Sequence, residues 1–115
     1  MSAKRFVIEG TWSGYTSAQR QIAHRMVYSG ARKRLRAWAE KTHAIRYTDG
    51  TCLILSVRDC KPHERVQQIA GYRELIEDCA HYDVSSVDAF YAAREAFREA
   101  ARAKRDAAQA TGEPA

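Results

Sequence analysis

The sequence predicts a single α+β domain, in which an antiparallel sheet of about four strands packs against helices. The first half contains short alternating stretches rich in Val, Ile and aromatic residues, which are typical of strands. The second half has apolar residues at helical spacing. A chain of 115 residues is the length of one domain. We expect that domain to span residues 1–110, with residues 111–115 as a frayed C-terminal tail.

Four segments carry the strand pattern. In the first, Phe6, Ile8 and Trp12 share one side of the chain, which predicts a half-buried strand. The Asp49-Gly50 pair lies between the last two segments and predicts a hairpin, because it tolerates the positive φ of a tight turn. The apolar run from Cys52 to Val57 is typical of a central strand buried on both faces. The predicted strands are residues 4–12, 18–28, 43–48 and 51–58.

The segment 18–28 fits two structures. As a helix, Ser17 would cap it, and Ile22 and Met26 would stack one turn apart. As a strand, His24, Met26 and Tyr28 would share one face, with Arg25 on the other. The short gap after the first strand favours an antiparallel hairpin, so we favour the strand.

Helices are predicted in the remaining chain. Residues 31–41 form a short basic helix with Leu35, Trp38 and Ala39 as its apolar stripe. A second helix is expected to begin near Pro62, with Gly71 interrupting or ending it. The next segment continues as a helix whose buried face comprises Tyr72, Leu75, Ile76 and Cys79.

A long C-terminal helix is predicted to run to about Ala108. Ser85 and Asp88 have the spacing of a capping box at its start. Its second half is rich in alanine and offers little bulk for a core within one chain, which predicts a homo-oligomer with this helix in the interface. The buried stripe is expected to comprise Val87, Phe90, Ala93 or Arg94, Phe97 and Ala101.

Charge points to an anionic partner. The net charge is +5 and the sequence pI is about 9.3, with arginine strongly favoured over lysine. Guanidinium groups bind phosphate in a planar, bidentate manner and stack on rings. No apolar run is long enough to span a membrane, and the N-terminus lacks a signal-peptide pattern, so we expect a cytoplasmic protein without a membrane partner.

The usual catalytic and cofactor-binding motifs are absent from the sequence. His24 could be a general base, but no nucleophile or metal ligand has a suggestive spacing to it, and a ligand-contacting or structural role is favoured. The sequence therefore predicts no enzyme, no metal and no cofactor. Nucleic-acid binding remains possible through the basic helix, but Leu35, Trp38 and Ala39 commit that helix to the core.

Three stretches, EGTWSGYTSAQRQIAHR, IRYTDGTCLILSV and GYRELIEDCAHYDVSSVDA, resemble a family of phage proteins. The family is the anti-Thoeris sponges, which sequester the cyclic ADP-ribose signal of bacterial immune TIR enzymes. The resemblance covers about residues 5–95. It implies an antiparallel sheet followed by C-terminal helices, oligomerisation, a host bacterial cytosol as the location, and pockets between protomers that bind without cleaving.

We therefore expect a phage-type anti-defence protein that binds an anionic cyclic nucleotide, with arginines on phosphates and a tyrosine on a base. The alternatives are a phage or prophage DNA-binding regulator and a small inhibitor of a host nucleic-acid enzyme. The candidate ligand-binding residues are Arg20, His24, Arg25, Arg46, Tyr72, Arg94 and Arg98.

Overall fold

The computed structural model describes residues 4–13, 24–67 and 71–112 and has the predicted α+β architecture. A four-stranded antiparallel sheet has the strand order β2-β1-β4-β3. Three helices complete the fold, and the last is the longest. In chain order the elements are β1 Phe6–Ser13, β2 His24–Tyr28, α1 Lys33–Lys41, β3 Ala44–Arg46, β4 Cys52–Asp59, α2 Tyr72–Tyr82 and α3 Val87–Gly112.

One face of the sheet holds the hydrophobic core. Phe6 and Ile8 of β1 point into it and are fully buried. All three helices add apolar side chains to the same core, because their apolar stripes can only be removed from water against this face. The helical contributions are Leu35, Trp38 and Ala39 from α1, Ile76 and Cys79 from α2, and Phe90 from α3.

The ambiguous segment is a strand where the structure describes it. His24, Met26 and Tyr28 are buried, while Arg25 and Val27 between them are half-buried, which is the alternation of a strand with one core face. β2 pairs antiparallel with β1. Residues 18–23 of the predicted strand, and Arg20 with them, lie outside the described residues.

β4 differs from its prediction in one respect. We expected this apolar strand to be buried on both faces, which is wrong: Leu53 and Leu55 face the core, while Ile54 is 45% exposed. The core lies on one side of the sheet only, so the alternate residues of β4 face outward. The apolar run therefore overstates the burial of this strand.

The hairpin predicted at Asp49-Gly50 joins β3 to β4. The Gly50 N–H donates to the Tyr47 carbonyl at 3.1 Å, and the Tyr47 N–H donates to the Thr51 carbonyl at 3.0 Å. Of the Asp-Gly pair, only Gly50 takes a positive φ, of 88°. The Asp49 carboxylate instead accepts hydrogen bonds from the Thr51 N–H and hydroxyl, which fixes the loop.

The predicted helix after Pro62 is wrong. Residues 60–67 contain no helix, and Gln67 exchanges two backbone hydrogen bonds with Arg25, at 2.6 and 2.9 Å. Gly71 immediately precedes α2 and has a φ of 98°. The segment binds the free edge of β2, so backbone pairing with the sheet outweighs the local preference for a helix.

α2 has the predicted buried face, but α3 differs from expectation at both ends. The capping hydroxyl is that of Ser86, which accepts from the Ala89 N–H at 3.0 Å; the cap predicted at Ser85 is wrong by one residue. In the predicted stripe Phe90 is buried, but Phe97 is 62% exposed and Ala101 is also exposed. The helix continues to Gly112 and leaves its own core after about Arg94.

Among the described residues, no helix is long and apolar enough to cross a membrane.

Candidate functional site

Four aromatic side chains meet at one end of the core face, and we call them the ring cluster: Trp12, His24, Tyr47 and Tyr72. The His24 imidazole stacks on the Tyr72 ring, with centroids 4.5 Å apart and planes 20° from parallel. Trp12 contacts both tyrosines, at 5.7 Å to Tyr72 and 5.0 Å to Tyr47. The four rings therefore form one continuous stacked and tilted series.

The backbone explains why these residues converge. Trp12 is near the end of β1 and His24 begins β2, on the same face of the sheet. Tyr47 directly follows β3, and Tyr72 is the first residue of α2. Each ring is therefore placed by the end of a different element, which is the arrangement from which binding sites are commonly built.

Burial keeps the ring cluster uncharged at neutral pH. His24 is 1% exposed, and desolvation lowers the pKa of its imidazole below the usual value of 6.5. Burial raises the pKa of the Tyr47 hydroxyl, and it raises that of Tyr72 against an opposing hydrogen bond from Trp12. The other three rings are half-buried, so part of the cluster faces solvent.

One buried polar atom in the ring cluster lacks a hydrogen-bond partner among the described residues. The Nε2 atom of His24 is buried and has no hydrogen-bond partner in the described part of the chain. A buried polar atom without a partner costs about 1–3 kcal/mol. Because of this cost, a new donor or acceptor in the ring cluster would stabilise the protein most if it bonded to His24 Nε2.

Arg25, a predicted site residue, lies on the opposite face of the sheet from His24. Its Nε donates to the Glu9 carboxylate at 3.0 Å. Glu64 is paired with Arg58 through two hydrogen bonds and lies 3.9 Å from Arg25 Nε. We call Glu9, Arg25, Arg58 and Glu64 the outer ion-pair cluster. Its two guanidinium groups are matched by two carboxylates, so it has no excess charge for an anion.

The other predicted arginines are dispersed. Arg46 is exposed on β3, at the opposite edge of the sheet from β2, and its side chain forms no ion pair with any described residue. The Arg94 guanidinium lies over the rings of Phe90 and Tyr91, at 5.2 and 4.9 Å. Arg98 is exposed further along α3. Of the six candidates within the described residues, the structure brings only His24 and Tyr72 into contact.

Sequence reasoning missed Trp12 and Tyr47 as site residues. Trp12 was assigned to the core face of β1, and its place at the end of that strand was the available signal. Tyr47 precedes the Asp-Gly turn, so its position at the same end of the sheet follows from the hairpin. Contact among the four rings depends on where α2 docks, which no local pattern specifies.

A second cluster of rings and cations was also missed. Tyr28 stacks on Phe6 at 5.5 Å, and the Arg73 guanidinium lies 4.5 Å from the centre of the Tyr28 ring. Arg73 also donates to the Val27 carbonyl at 2.9 Å, which ties α2 to β2. Burial raises the pKa of Tyr28 to about 12, and its hydroxyl lacks a partner among the described residues.

A groove of about 960 Å³ separates α1 from α2. Arg32, which immediately precedes α1, pairs with Glu77 at 2.8 Å, and Lys41, the last residue of α1, lies 3.8 Å from the Asp83 carboxylate. Cations from one wall of the groove therefore face carboxylates from the other wall, and these ion pairs connect the two helices.

No group of three His, Cys, Asp or Glu side chains within the described ranges could hold a metal ion.

Comparisons of the chain with protein-family models, with curated proteins and with solved structures found no match.

Proposed function

We propose that this protein binds and sequesters an anionic cyclic nucleotide of the cyclic ADP-ribose type, without cleaving it. The observation that carries the proposal is the stacked pair of His24 and Tyr72, with a buried imidazole nitrogen that has no partner in the described chain. A nucleobase has a flat face that can stack on the half-buried rings of Tyr72, Trp12 or Tyr47. Its polar edge would satisfy His24 Nε2 once the rings that cover this buried atom move aside.

The ring cluster suits a base better than it suits a phosphate. Its rings are neutral at pH 7, and stacking of a base on an aromatic side chain contributes about 1–3 kcal/mol. In neutral His24 one ring nitrogen donates a hydrogen bond and the other accepts one. Depending on the tautomer, Nε2 can therefore either donate to an acceptor atom of a base or accept from a donor group of the base. Tyr72, Trp12 and Tyr47 are half-buried and offer the accessible ring surface.

The phosphates of such a ligand need cations that are not already paired. Arg46 directly precedes Tyr47 in the chain, is exposed, and makes no ion pair within the described ranges. It lies on the opposite side of β3 from the buried Ile45, so its long side chain would have to extend around the edge of the sheet to meet a phosphate. Arg25 is held by Glu9 at 3.0 Å and is the weaker candidate for this role. The net charge of +5 adds a general attraction for anions.

The surroundings of His24 support binding without cleavage. A general base needs a hydrogen bond to the group that it deprotonates, directly or through one water. In the part of the chain that the structure describes, no hydroxyl, thiol or carboxylate contacts His24 Nε2. Its lowered pKa also reflects burial alone, without a carboxylate to orient the ring.

The test is a thermal-shift and calorimetric titration with cyclic ADP-ribose, followed by heat release and mass spectrometry of the ligand. We expect a rise in melting temperature and recovery of the ligand with unchanged mass. Linear ADP-ribose in the eluate would contradict the proposal by showing cleavage. Absence of any shift with cyclic nucleotides would overturn it, and duplex affinity that falls steeply with salt would favour the DNA-binding regulator.

Two variants locate the site. Tyr72→Leu should weaken nucleotide binding at least tenfold, since one stacking surface is lost, whereas Tyr72→Phe should bind within about threefold of the wild type. Tyr91→Leu removes an exposed ring on α3 and is the matched control. Equal losses in Tyr72→Leu and Tyr91→Leu would show that the ring cluster is not the site.

A further inference from the structure

The far half of α3 extends away from the hydrophobic core of the domain. Residues 95–110 are all exposed, and they form a rod about 24 Å long at 1.5 Å per residue. Phe97 on this rod is 62% exposed, the largest value among the exposed large hydrophobic side chains of the described chain. A single exposed ring is ordinary on a protein surface, so Phe97 supports an interface only together with the pattern of the residues around it.

Alanines recur along α3 at alternating intervals of four and three residues, which is the spacing of the a and d positions of a coiled coil. In this register Ala93, Ala100 and Ala107 are a positions, and Ala96 and Ala103 are d positions. Such small residues allow two helices to approach at the short end of the usual 8–10 Å range. The complete series is Ala89, Ala93, Ala96, Ala100, Ala103, Ala107 and Ala110.

The flanking positions specify the partner and its direction. In a parallel dimer, a g residue faces the e residue five positions later on the other helix. Glu99 is at g and Lys104 is at e, so each copy would contribute one carboxylate and one ammonium to two symmetric ion pairs. Both side chains are exposed, and neither forms an ion pair within the described residues.

The same register accounts for Phe97. It is at e, and the facing g position of the other helix is the small residue Ala92. A large side chain then lies against a small one, and its exposed ring becomes covered. In an antiparallel pair, g residues would face g residues, which would bring the carboxylates of Glu99 and Asp106 together.

We infer that residues 95–110 of α3 form a parallel, two-stranded coiled coil with a second copy of this chain, through an alanine seam flanked by Glu99–Lys104 ion pairs between the copies. This interface does not depend on the nucleotide proposal. The globular parts of the two copies then lie at the same end of the dimer, and the two helices run side by side away from them.

Sedimentation velocity and light scattering over a range of concentrations test the dimer. We expect a dimer for the wild type and a monomer for Ala103→Glu, since that variant places a charge in the seam. Ala101→Glu makes the same change outside the seam and should remain dimeric, with helicity followed by circular dichroism in both. A monomeric wild type up to millimolar concentration would overturn the inference, as would equal disruption by the two variants.

A charge exchange tests the orientation. Glu99→Lys and Lys104→Glu should each weaken the dimer by about tenfold, and the double variant should restore it. Arg105→Glu, next in the chain and outside the seam, is the control. Ala103→Cys in a Cys52→Ser, Cys60→Ser background should form a disulfide between copies under mild oxidation. Failure of the double variant to restore the dimer, or absence of that disulfide, would overturn the parallel arrangement.

Discussion

The imidazole of His24 stacks on the ring of Tyr72 at a centroid distance of 4.5 Å, although the two residues belong to different elements, β2 and α2. The contact fastens the first turn of α2 to the edge strand of the sheet. It also buries an ionisable group, so the stability of this junction depends on pH.

His24 should make the protein less stable in mild acid. Its pKa in the folded state lies below the unfolded value of 6.5, because burial disfavours the charged ring. The unfolded chain therefore binds a proton first, and stability falls as pH drops below about 6.5. We expect the melting temperature to fall more between pH 8 and pH 5.5 in the wild type than in His24→Phe.

Thermal unfolding at several pH values measures this difference. His63→Gln removes an exposed histidine and should keep the wild-type pH dependence. Parallel curves for the wild type and His24→Phe would show that His24 titrates equally in both states.

The ion pair of Glu64 and Arg58 should stabilise the fold at neutral pH and lose its effect in strong acid. Hydrogen bonds from the Arg58 guanidinium and the Lys61 N–H lower the pKa of Glu64 to about 2, from an ordinary value of 4.5. The depressed value means that the stabilisation is present above pH 4.5 and is lost as pH falls towards 2. Glu64→Gln should therefore melt at a lower temperature than the wild type at pH 7.

The difference in melting temperature should shrink steadily below pH 4.5. Asp106→Asn, at an exposed position on α3, is the control and should melt close to the wild type throughout. A difference between the wild type and Glu64→Gln that stays constant down to pH 2 would contradict the assignment of the shifted pKa to this pair.

Gly30 should not tolerate a side chain. A Cβ atom at this position would overlap the backbone carbonyl oxygen of Lys4, which cannot move aside as a flexible side chain can. We expect Gly30→Ala to lower the free energy of unfolding by about 3 kcal/mol in urea denaturation. Gly71→Ala is the comparison, since nothing lies within 4 Å there and only its φ of 98° is unfavourable, at about 1–2 kcal/mol. A smaller loss for Gly30→Ala than for Gly71→Ala would refute the close approach.

Ser86 should be the serine that stabilises the start of α3. Its hydroxyl accepts from the Ala89 N–H, so Ser86→Ala should cost about 1 kcal/mol in the same denaturation experiment. Among the described residues, Ser85 contributes only its backbone carbonyl, which accepts from the Arg46 N–H at 2.9 Å. Ser85→Ala should therefore change stability by less than about 0.5 kcal/mol. The reverse order would restore the capping box that the sequence predicts.

Part of the candidate site was predictable from the sequence because it depends on local alternation. His24 was placed on the face of β2 that carries Met26 and Tyr28, and that assignment is confirmed. Tyr72 was placed on the same helical face as Ile76 and Cys79, which are buried. Whether those two faces meet depends on how α2 docks against the sheet, and the residue pattern within each element does not determine that docking.

The outer ion-pair cluster was not predictable, and it changes the interpretation of Arg25. Glu9 and Arg25 are adjacent only because β1 and β2 pair in this register, and Glu64 reaches them only because residues 60–67 cross to the edge of β2. Seen in sequence alone, Arg25 is an unpaired cation beside a histidine. In the structure it is neutralised by Glu9.

By itself, the sequence determined what lies within a few residues: the α1 stripe, the face of α2, the Asp49-Gly50 hairpin and the core-facing side of β1, although Val7 on its other side is also fully buried. These follow from side-chain periodicity and from the backbone freedom of glycine, which act locally. Only the tertiary structure decided that one face of β4 stays exposed, that the chain after Pro62 pairs with β2, and that four rings converge around His24. Those outcomes depend on which surfaces remain uncovered once the sheet and helices have packed together, and that is a property of the whole chain.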